Sequence, residues 1–156
     1  MIVVCDTTPI SYLIQIELID LLPRLYGDAF IPSTVLEELL HPKAPIPVRN
    51  WAASLPSWVV VQPPVPIDPQ LSSLHRGEQQ AIALAESLHA HLLLTDDFKA
   101  RTIAHQRGID TVTTLLILDT AADRKWISFP TAIAALLQTN FRVDNFTIQQ
   151  LLAKHA

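Results

Sequence analysis

The chain has 156 residues and a formal net charge of −4, and 49% of its residues are hydrophobic while 17% are charged. This composition is typical of a compact globular chain and excludes a disordered one. The negative charge excludes a general basic surface that coats phosphates, but it permits an enzyme whose bound metal ions supply positive charge.

The first predicted strand is Ile2–Cys5, which we interpret as a core strand and not as a signal peptide. Thr8 is expected to cap the next helix, with Pro9 at its first position, where a missing N–H costs nothing. Apolar residues at helical spacing extend this helix to Leu22. The next predicted elements are a strand Ala29–Ile31, a helix from about Thr34 to His41, an irregular connection His41–Pro47 and a strand Trp58–Val61.

A proline-rich stretch, Gln62–Pro66, is predicted to run extended and to join two halves of one domain. The elements predicted after it are a helix from about Gly77 to Ala90, a strand Leu92–Thr95, a helix from about Phe98 to Gln106, a strand Thr111–Thr113, and helices Leu115–Ala122, Pro130–Gln138 and Val143–His155. This alternation predicts an α/β fold with a largely parallel sheet, in a single domain spanning residues 1–156. No apolar run approaches the roughly 20 residues of a membrane span, and a single cysteine favours the reducing cytoplasm.

Acidic residues directly follow two predicted strands. Asp6 follows the first strand, and Asp96 and Asp97 follow the strand that begins at Leu92. In an open parallel sheet, ligands bind outside the carboxyl ends of the strands. One acid at such a place is usually a helix cap, but acids on two strands would repel each other unless a cation joined them.

Two glutamates are further candidates. Glu78 lies one turn before Ile82, on the apolar side of its helix, which favours a role in the site. The alternative interpretation is that its charge interacts favourably with the helix N-terminus. Thr34-Val-Leu-Glu37 matches a capping box, which assigns Glu37 to the helix start and leaves Glu38 as the better ligand candidate.

Clustered carboxylates are the ligands that Mg²⁺ or Mn²⁺ prefers, and such an ion activates water and offsets charge on a phosphodiester. Arg76, Lys99 and Arg101 flank the acids and are expected to contact the phosphate backbone of RNA, although an ordinary solvated surface explains them equally well.

Four motifs resemble those of PIN domains in their order along the chain: Asp6-Thr-Thr-Pro-Ile-Ser, Pro32-Ser-Thr-Val-Leu-Glu-Glu-Leu-Leu40, Gly77-Glu-Gln-Gln-Ala-Ile-Ala-Leu-Ala85 and Leu94-Thr-Asp-Asp-Phe-Lys-Ala-Arg101. More narrowly, the chain resembles an uncharacterised PIN-like subgroup that is similar to the VapC-type toxins of toxin–antitoxin pairs. The resemblance covers nearly the whole chain and implies a three-layer fold with about five parallel strands. It also implies Mg²⁺- or Mn²⁺-dependent endoribonuclease activity, an antitoxin partner and a homodimer.

Carried over by position, the acidic site of the family falls on Asp6, Glu38, Glu78 and Asp97, of which Asp6, Glu78 and Asp97 would bind metal. Asp97 is preferred to its neighbour Asp96 because the family pattern after this strand is Thr-x-Asp. Asp96 is then a supporting residue, and Thr7 or Thr8, with Thr8 favoured, would support the first acid. The chain departs from the family pattern in carrying Phe98-Lys-Ala-Arg101 where many members have a further acid.

Other functions that use acidic residues require motifs that this sequence lacks. A haloacid-dehalogenase-type phosphatase needs Asp-x-Asp after its first strand, and here Thr7 and Thr8 follow Asp6. The six histidines show no H-E-x-x-H spacing for zinc. The strongest alternative is a catalytically silent PIN fold that acts by binding protein or nucleic acid.

Overall fold

The computed structural model describes residues 1–156. Its strands are β1 (Val3–Cys5), β2 (Ala29–Pro32), β3 (Val59–Gln62), β4 (Leu92–Leu94) and β5 (Thr111–Val112). Its helices are α1 (Thr7–Gln15), α2 (Leu21–Tyr26), α3 (Ser33–Leu39), α4 (Ile46–Ala52), α5 (Arg76–Ser87), α6 (Phe98–Gln106), α7 (Thr114–Asp123), α8 (Phe129–Leu137) and α9 (Asn145–Lys154), with a 3₁₀ turn at Pro69–Leu71. No helix is both long enough and apolar enough to cross a membrane.

The five strands form one sheet in the order β3-β2-β1-β4-β5. Every pair of neighbouring strands is parallel, and Val4 of β1 is in register with Phe30 of β2 and Leu93 of β4. The predicted α/β fold with a five-stranded parallel sheet is therefore confirmed. Because all strands run the same way, their carboxyl ends share one edge of the sheet, and β1 and β4 are neighbours there.

Two apolar cores cover the two faces of the sheet. Val3 and Cys5 belong to a core of 24 buried residues, whereas Val4 belongs to a second core of 11. This separation follows from the alternation of side chains along a strand. Helices α5 and α6 supply apolar residues to the smaller core, and the other helices pack in the larger one. The result is the three-layer arrangement of helices, sheet and helices.

The start and end of the first predicted helix are both corrected by the structure. The N-cap of α1 is Asp6, whose side chain accepts a hydrogen bond from the Thr7 N–H, so Thr8 lies inside the helix and does not cap it. The helix ends at Gln15, and Glu17 adopts a positive φ of 62° before α2 begins. The apolar spacing continued through this break because loop residues such as Leu18 pack against the larger core.

The proline-containing connection after α3 also contains a helix that the sequence did not predict. Helix α4 begins at Ile46, with a proline in its first turn, where the missing N–H has no intrahelical partner to lose. Its buried residues are Val48 and Ala52, which belong to the larger core. Prolines alone therefore did not distinguish an irregular segment from a helix start.

Candidate active site

Asp6 lies at the shared carboxyl edge of the sheet, between the ends of β1 and β4. Its carboxylate accepts hydrogen bonds from the Thr7 N–H (2.8 Å) and from the Thr95 hydroxyl (3.1 Å), and Thr95 directly follows β4. The residue is only 3% exposed, yet no lysine or arginine lies within salt-bridge distance of it. Asp6 is thus a buried acid that the protein supplies with hydrogen bonds but with no basic partner.

The environment of Asp6 disfavours its charged form. Burial, together with the negative charges of Glu78 and Glu38, raises the pKa of Asp6 to about 7, although the Thr7 N–H and His75 act in the opposite direction. The two glutamates come from α3 and α5, so the structure gathers acids from three separate parts of the chain around one point. Such uncompensated carboxylates are the expected surroundings of a cation.

Glu38 reaches this point from the last turn of α3. One carboxylate oxygen accepts a short hydrogen bond from the Thr7 hydroxyl. The other side of the carboxylate lies against Gly77 at the start of α5, where an added Cβ would stand 2.8 Å from the Glu38 carboxyl carbon. Glycine at position 77 therefore leaves the space that the Glu38 carboxylate occupies.

Glu78 and His75 face each other at the start of α5. The Glu78 carboxylate accepts from the His75 backbone N–H (3.3 Å), and its second oxygen lies 3.1 Å from His75 Nε2. The other ring nitrogen of His75 is 3.9 Å from Glu38. Burial raises the pKa of Glu78, and the charges of Asp97 and Glu38 add to this effect, whereas His75 opposes it. Glu78 therefore interacts with the start of its helix, as one interpretation of the sequence predicted, and it also lies close to the other acids, as the second predicted.

Asp97 completes the group from the β4 side of the sheet. It is the N-cap of α6, where one carboxylate oxygen accepts from the Ala100 N–H (2.8 Å), and its other oxygen accepts no protein hydrogen bond. Because its charge raises the pKa of Glu78, the predicted acids Asp6, Glu38, Glu78 and Asp97 form one electrostatically connected set.

The donor atoms of this set fit a hard divalent cation, because they are carboxylate oxygens that lack lysine or arginine partners. Their spacing in the structure is wider than that of a closed metal cage, because the group of potential ligands within 4.8 Å of one another is Asp119, Asp123 and His155. That tighter group is held together by Lys154, which lies 2.9 Å from Asp119 and 3.1 Å from Asp123. We therefore interpret the tighter group as an ion-pair network, and the four wider acids as the candidate metal centre.

The sequence model of the family described as "DUF3368: PIN domain" matches residues 2–156 of the chain. The chain belongs to this PIN-domain family. Its fold is similar to that of a PilT N-terminus domain protein from the hyperthermophilic archaeon Sulfolobus solfataricus P2, with a TM-score of 0.53 and 16% sequence identity over 92% of this chain and 100% of the other. A comparison with curated proteins finds no match. PIN domains are generally metal-dependent nucleases, and the acidic set lies at the ligand-binding edge of the sheet.

Asp96 and Thr8 are the two predicted supporting residues of this PIN domain. The Asp96 carboxylate accepts from the backbone N–H and the hydroxyl of Thr114, both at 2.7 Å, and so joins the end of β4 to the start of α7. Burial raises the pKa of Asp96, and the hydrogen bonds from Thr114 oppose the rise. The hydroxyl groups that donate to the acidic set are those of Thr7, to Glu38, and Thr95, to Asp6. Support of the site by Thr8 stays a prediction.

The reason given for preferring Glu38 over Glu37 was wrong, although the two side chains do separate as expected. Helix α3 is preceded by Pro32 as its N-cap, and Thr34 lies inside the helix with a buried hydroxyl that has no partner. The predicted capping box is therefore absent. Glu37 is exposed and faces Arg76 at 3.6 Å, whereas Glu38 accepts from the Thr7 hydroxyl.

The three basic candidates of the PIN domain differ in their surroundings. Arg76 is paired with exposed Glu37, and the Lys99 ammonium lies 3.5 Å from the Ser73 carbonyl. Arg101 lines a cavity beside Asp96 and makes no side-chain hydrogen bond. Contact of these residues with RNA stays a prediction.

Sequence reasoning missed His75 and Gly77. The only signal was their position immediately before Glu78, and the histidines were considered only for the spacing of a zinc site. The close approach of Gly77 to Glu38 depends on the packing of α3 against α5, which no local pattern encodes.

Proposed function

We propose that this PIN domain is a Mg²⁺- or Mn²⁺-dependent endoribonuclease that hydrolyses RNA phosphodiesters at its acidic set. The observation that carries the proposal is the buried Asp6 carboxylate, which lies among Glu38 and Glu78 without a basic partner. An arrangement that costs folding free energy in the absence of a cation is expected where the acids have a functional role.

Each acid contributes differently to the proposed reaction. Asp6, Glu78 and Asp97 would hold the divalent ion, which when bound lowers the pKa of a water molecule and offsets charge on the phosphodiester. Thr7 and Thr95 orient the Asp6 and Glu38 carboxylates through their hydrogen bonds. Glu38, which the Thr7 hydroxyl fixes next to Asp6, is placed to orient the attacking water or accept its proton. Asp96 would support the site by joining the end of β4 to the start of α7 through its hydrogen bonds to Thr114.

A second candidate function is a silent PIN fold that binds a partner without cutting RNA. Two observations favour it: the chain has Phe98-Lys-Ala-Arg101 in place of a further acid, and His75 already bridges Glu38 and Glu78. A histidine in that position partly compensates the acids and so reduces their need for a metal ion.

Cleavage of a mixed RNA substrate during a Mn²⁺ or Mg²⁺ titration separates the two functions. The wild type is compared with Asp6→Asn and Asp97→Asn, and with Asp110→Asn as a matched control. Asp110 is an exposed acid at the start of β5, at the opposite edge of the sheet. We expect metal-dependent cleavage by the wild type and by Asp110→Asn, and a loss of at least about a hundredfold in the two site variants.

Metal-independent cleavage, or wild-type rates in both site variants, contradicts the proposed mechanism. Absence of cleavage with any RNA, together with metal binding too weak to measure, favours the silent module. If no RNA is cut, titration of the protein with Mn²⁺ by calorimetry separates two explanations. Binding of Mn²⁺ indicates a metal centre whose RNA substrate was not among those tested, whereas no binding indicates a site that holds no metal.

The finer part of the proposal is that the enzyme acts in the cytoplasm as the toxin of a toxin–antitoxin pair and forms a homodimer. It is supported by the resemblance to VapC-type toxins. Growth arrest on expression of the wild type, but not of Asp6→Asn, is the expected result, and light scattering of the purified protein measures its oligomeric state.

A further inference from the structure

A cavity of about 610 Å³ lies between the start of α6, the first half of α7, the connection from α8 to α9 and α9 itself. Asp96 and Phe98, the two chain neighbours of Asp97, both line it. The cavity therefore adjoins the proposed cleavage site through one short segment of chain. Its lining combines apolar side chains, three aspartates and two arginines.

The three aspartates of the cavity already have partners within the protein. Asp96 accepts two hydrogen bonds from Thr114, and Asp144 accepts two from Thr147, at 2.9 and 2.8 Å. Asp119 accepts from Lys154 and from His155. Only Asp119 is ion-paired, with Lys154, whereas Asp96 and Asp144 are held in place by the neutral donors of Thr114 and Thr147.

The two arginines of the cavity lack such partners. Neither Arg101 nor Arg142 has a carboxylate within 4.0 Å, and Arg142 donates only to the Phe141 carbonyl, at 3.1 Å. Arg101 donates no side-chain hydrogen bond, and its Nε is buried without a partner. A guanidinium group presents five N–H donors, and leaving the buried Nε of Arg101 without a partner costs free energy, whereas Arg142 is exposed and its free donors face water. An anionic ligand with several acceptor oxygens can accept from the free donors of the arginines that line the cavity.

Phe98 provides the second type of contact. It is 77% exposed at the mouth of the cavity, although it is a large apolar side chain. An exposed aromatic ring beside cationic groups is the arrangement that binds single-stranded nucleic acid, because an unpaired base stacks on the ring while the phosphate meets the charge. An acidic peptide uses the arginines equally well but makes no comparable use of the ring.

We propose that the cavity is a binding site for a nucleotide next to the cleaved bond in single-stranded RNA, with its phosphate on Arg101 and Arg142 and its base stacked on Phe98. This inference rests on the proposed nuclease function. It restricts the substrate class to strands with unpaired bases, because a base within a duplex is not free to stack on a protein ring.

Binding of a short fluorescein-labelled oligouridylate, followed by fluorescence anisotropy in EDTA over a series of KCl concentrations, tests the proposal without metal or cleavage. The variants are Arg101→Met, Arg142→Met and Phe98→Ala. Lys43→Gln is the matched control, because Lys43 is an exposed lysine in the α3–α4 turn that does not line the cavity.

Each arginine variant is expected to weaken binding about tenfold, as for the loss of a charge-assisted hydrogen bond. Each should also reduce the slope of log affinity against log salt by about 0.7, the value for one phosphate contact with a single strand. Phe98→Ala is expected to weaken binding about tenfold without changing this slope, since stacking involves no counterion release. Lys43→Gln should leave both quantities at the wild-type values.

Melting temperatures distinguish lost contacts from misfolding, because Arg101 makes no hydrogen bond within the protein and its replacement removes none. Arg101→Lys is a second check, since it keeps the charge and therefore the salt slope. Wild-type affinity in both arginine variants, or no salt-sensitive binding by the wild type, overturns the proposal. Equal competition by an oligoglutamate peptide, with no effect of Phe98→Ala, overturns it in favour of a protein-docking site.

The outcome is separable from that of the nuclease proposal. Weakened binding in the arginine variants of a protein that cuts no RNA supports the nucleotide site and rejects catalysis. Metal-dependent cutting with unaltered binding in all three variants rejects the nucleotide site and leaves catalysis in place.

Discussion

Replacement of Asp6 by asparagine removes a buried negative charge and changes little else around it. Asparagine is as good an N-cap as aspartate, so its side-chain oxygen can still accept from the Thr7 N–H. The Thr95 hydroxyl can turn and accept from the new amide, because a hydroxyl both donates and accepts. The substitution therefore isolates the cost of the charge.

The size of that cost follows from the pKa. Burial raises the pKa of Asp6 from 3.8 to about 7, a difference of roughly 3 units. Each unit corresponds to about 1.4 kcal/mol, which gives an upper value of about 4 kcal/mol. Because the folded-state pKa is raised, the folded protein binds this proton more tightly than the unfolded chain. The associated stability is fully present below pH 3.8 and is lost as the pH rises through about 7.

Urea unfolding of the metal-free protein measures this difference. In EDTA at about pH 8, we expect Asp6→Asn to be more stable than the wild type by up to about 4 kcal/mol, with the gap closing near pH 4. Asp110→Asn is the control, since it changes an exposed acid. A metal-free Asp6→Asn protein that is less stable than the wild type at about pH 8 would refute the idea that Asp6 is an uncompensated buried charge.

Three further outcomes follow from contacts in the structure. Adding Mn²⁺ at about a hundred times its dissociation constant should stabilise the wild type by about 2.7 kcal/mol in thermal unfolding, and should leave Asp97→Asn unchanged. Gly77→Ala should change the free energy of unfolding by no more than about 1 kcal/mol, because the helix propensity of alanine offsets the loss of the hydrogen bond from Thr7 to the displaced Glu38. The same variant should cut RNA roughly a hundredfold more slowly, because its Cβ displaces the Glu38 carboxylate, and full activity would remove Glu38 from the reaction. Asp119→Asn should lower the free energy of unfolding by about 1–2 kcal/mol in urea, since hydrogen bonds from Lys154 and His155 are weakened. Burial alone would raise the pKa of Asp119, but the hydrogen bonds from Lys154 and His155 lower it. The wild type should therefore lose the same stability as the pH falls below the usual carboxyl range. Unchanged unfolding of the variant and of the wild type at low pH would exclude this anchoring of α9.

The placement of acids at strand ends was predictable because it depends on two local patterns. The apolar runs before Asp6 and Asp97 identified β1 and β4, and the parallel topology brings their carboxyl ends to one edge. Glu78 was recognisable from helical spacing, since the apolar stripe of α5 fixes which side of the helix is buried.

The contacts between elements were not predictable in the same way. Nothing near Thr114 in the sequence shows that its hydroxyl donates to Asp96, and nothing near Gly77 shows that Glu38 fills the space beside it. The bridge that His75 makes between Glu38 and Glu78 also depends on how α3 packs against α5. Spacing along a chain determines which way a side chain faces within its own element, but its partner depends on tertiary packing.

The segment between β4 and α6 places consecutive residues in three different surroundings. Asp96 ties the sheet to α7, Asp97 joins the acidic set, and Phe98 stands in solvent at the mouth of the cavity. Adjacent Cα atoms are only about 3.8 Å apart, which is shorter than the backbone repeat of an extended RNA strand. A base held by Phe98 would therefore belong to the nucleotide beside the scissile phosphate. We expect base preference to be confined to that single position of the cut sequence, and lengthening the segment by one residue should move the cut relative to the preferred base.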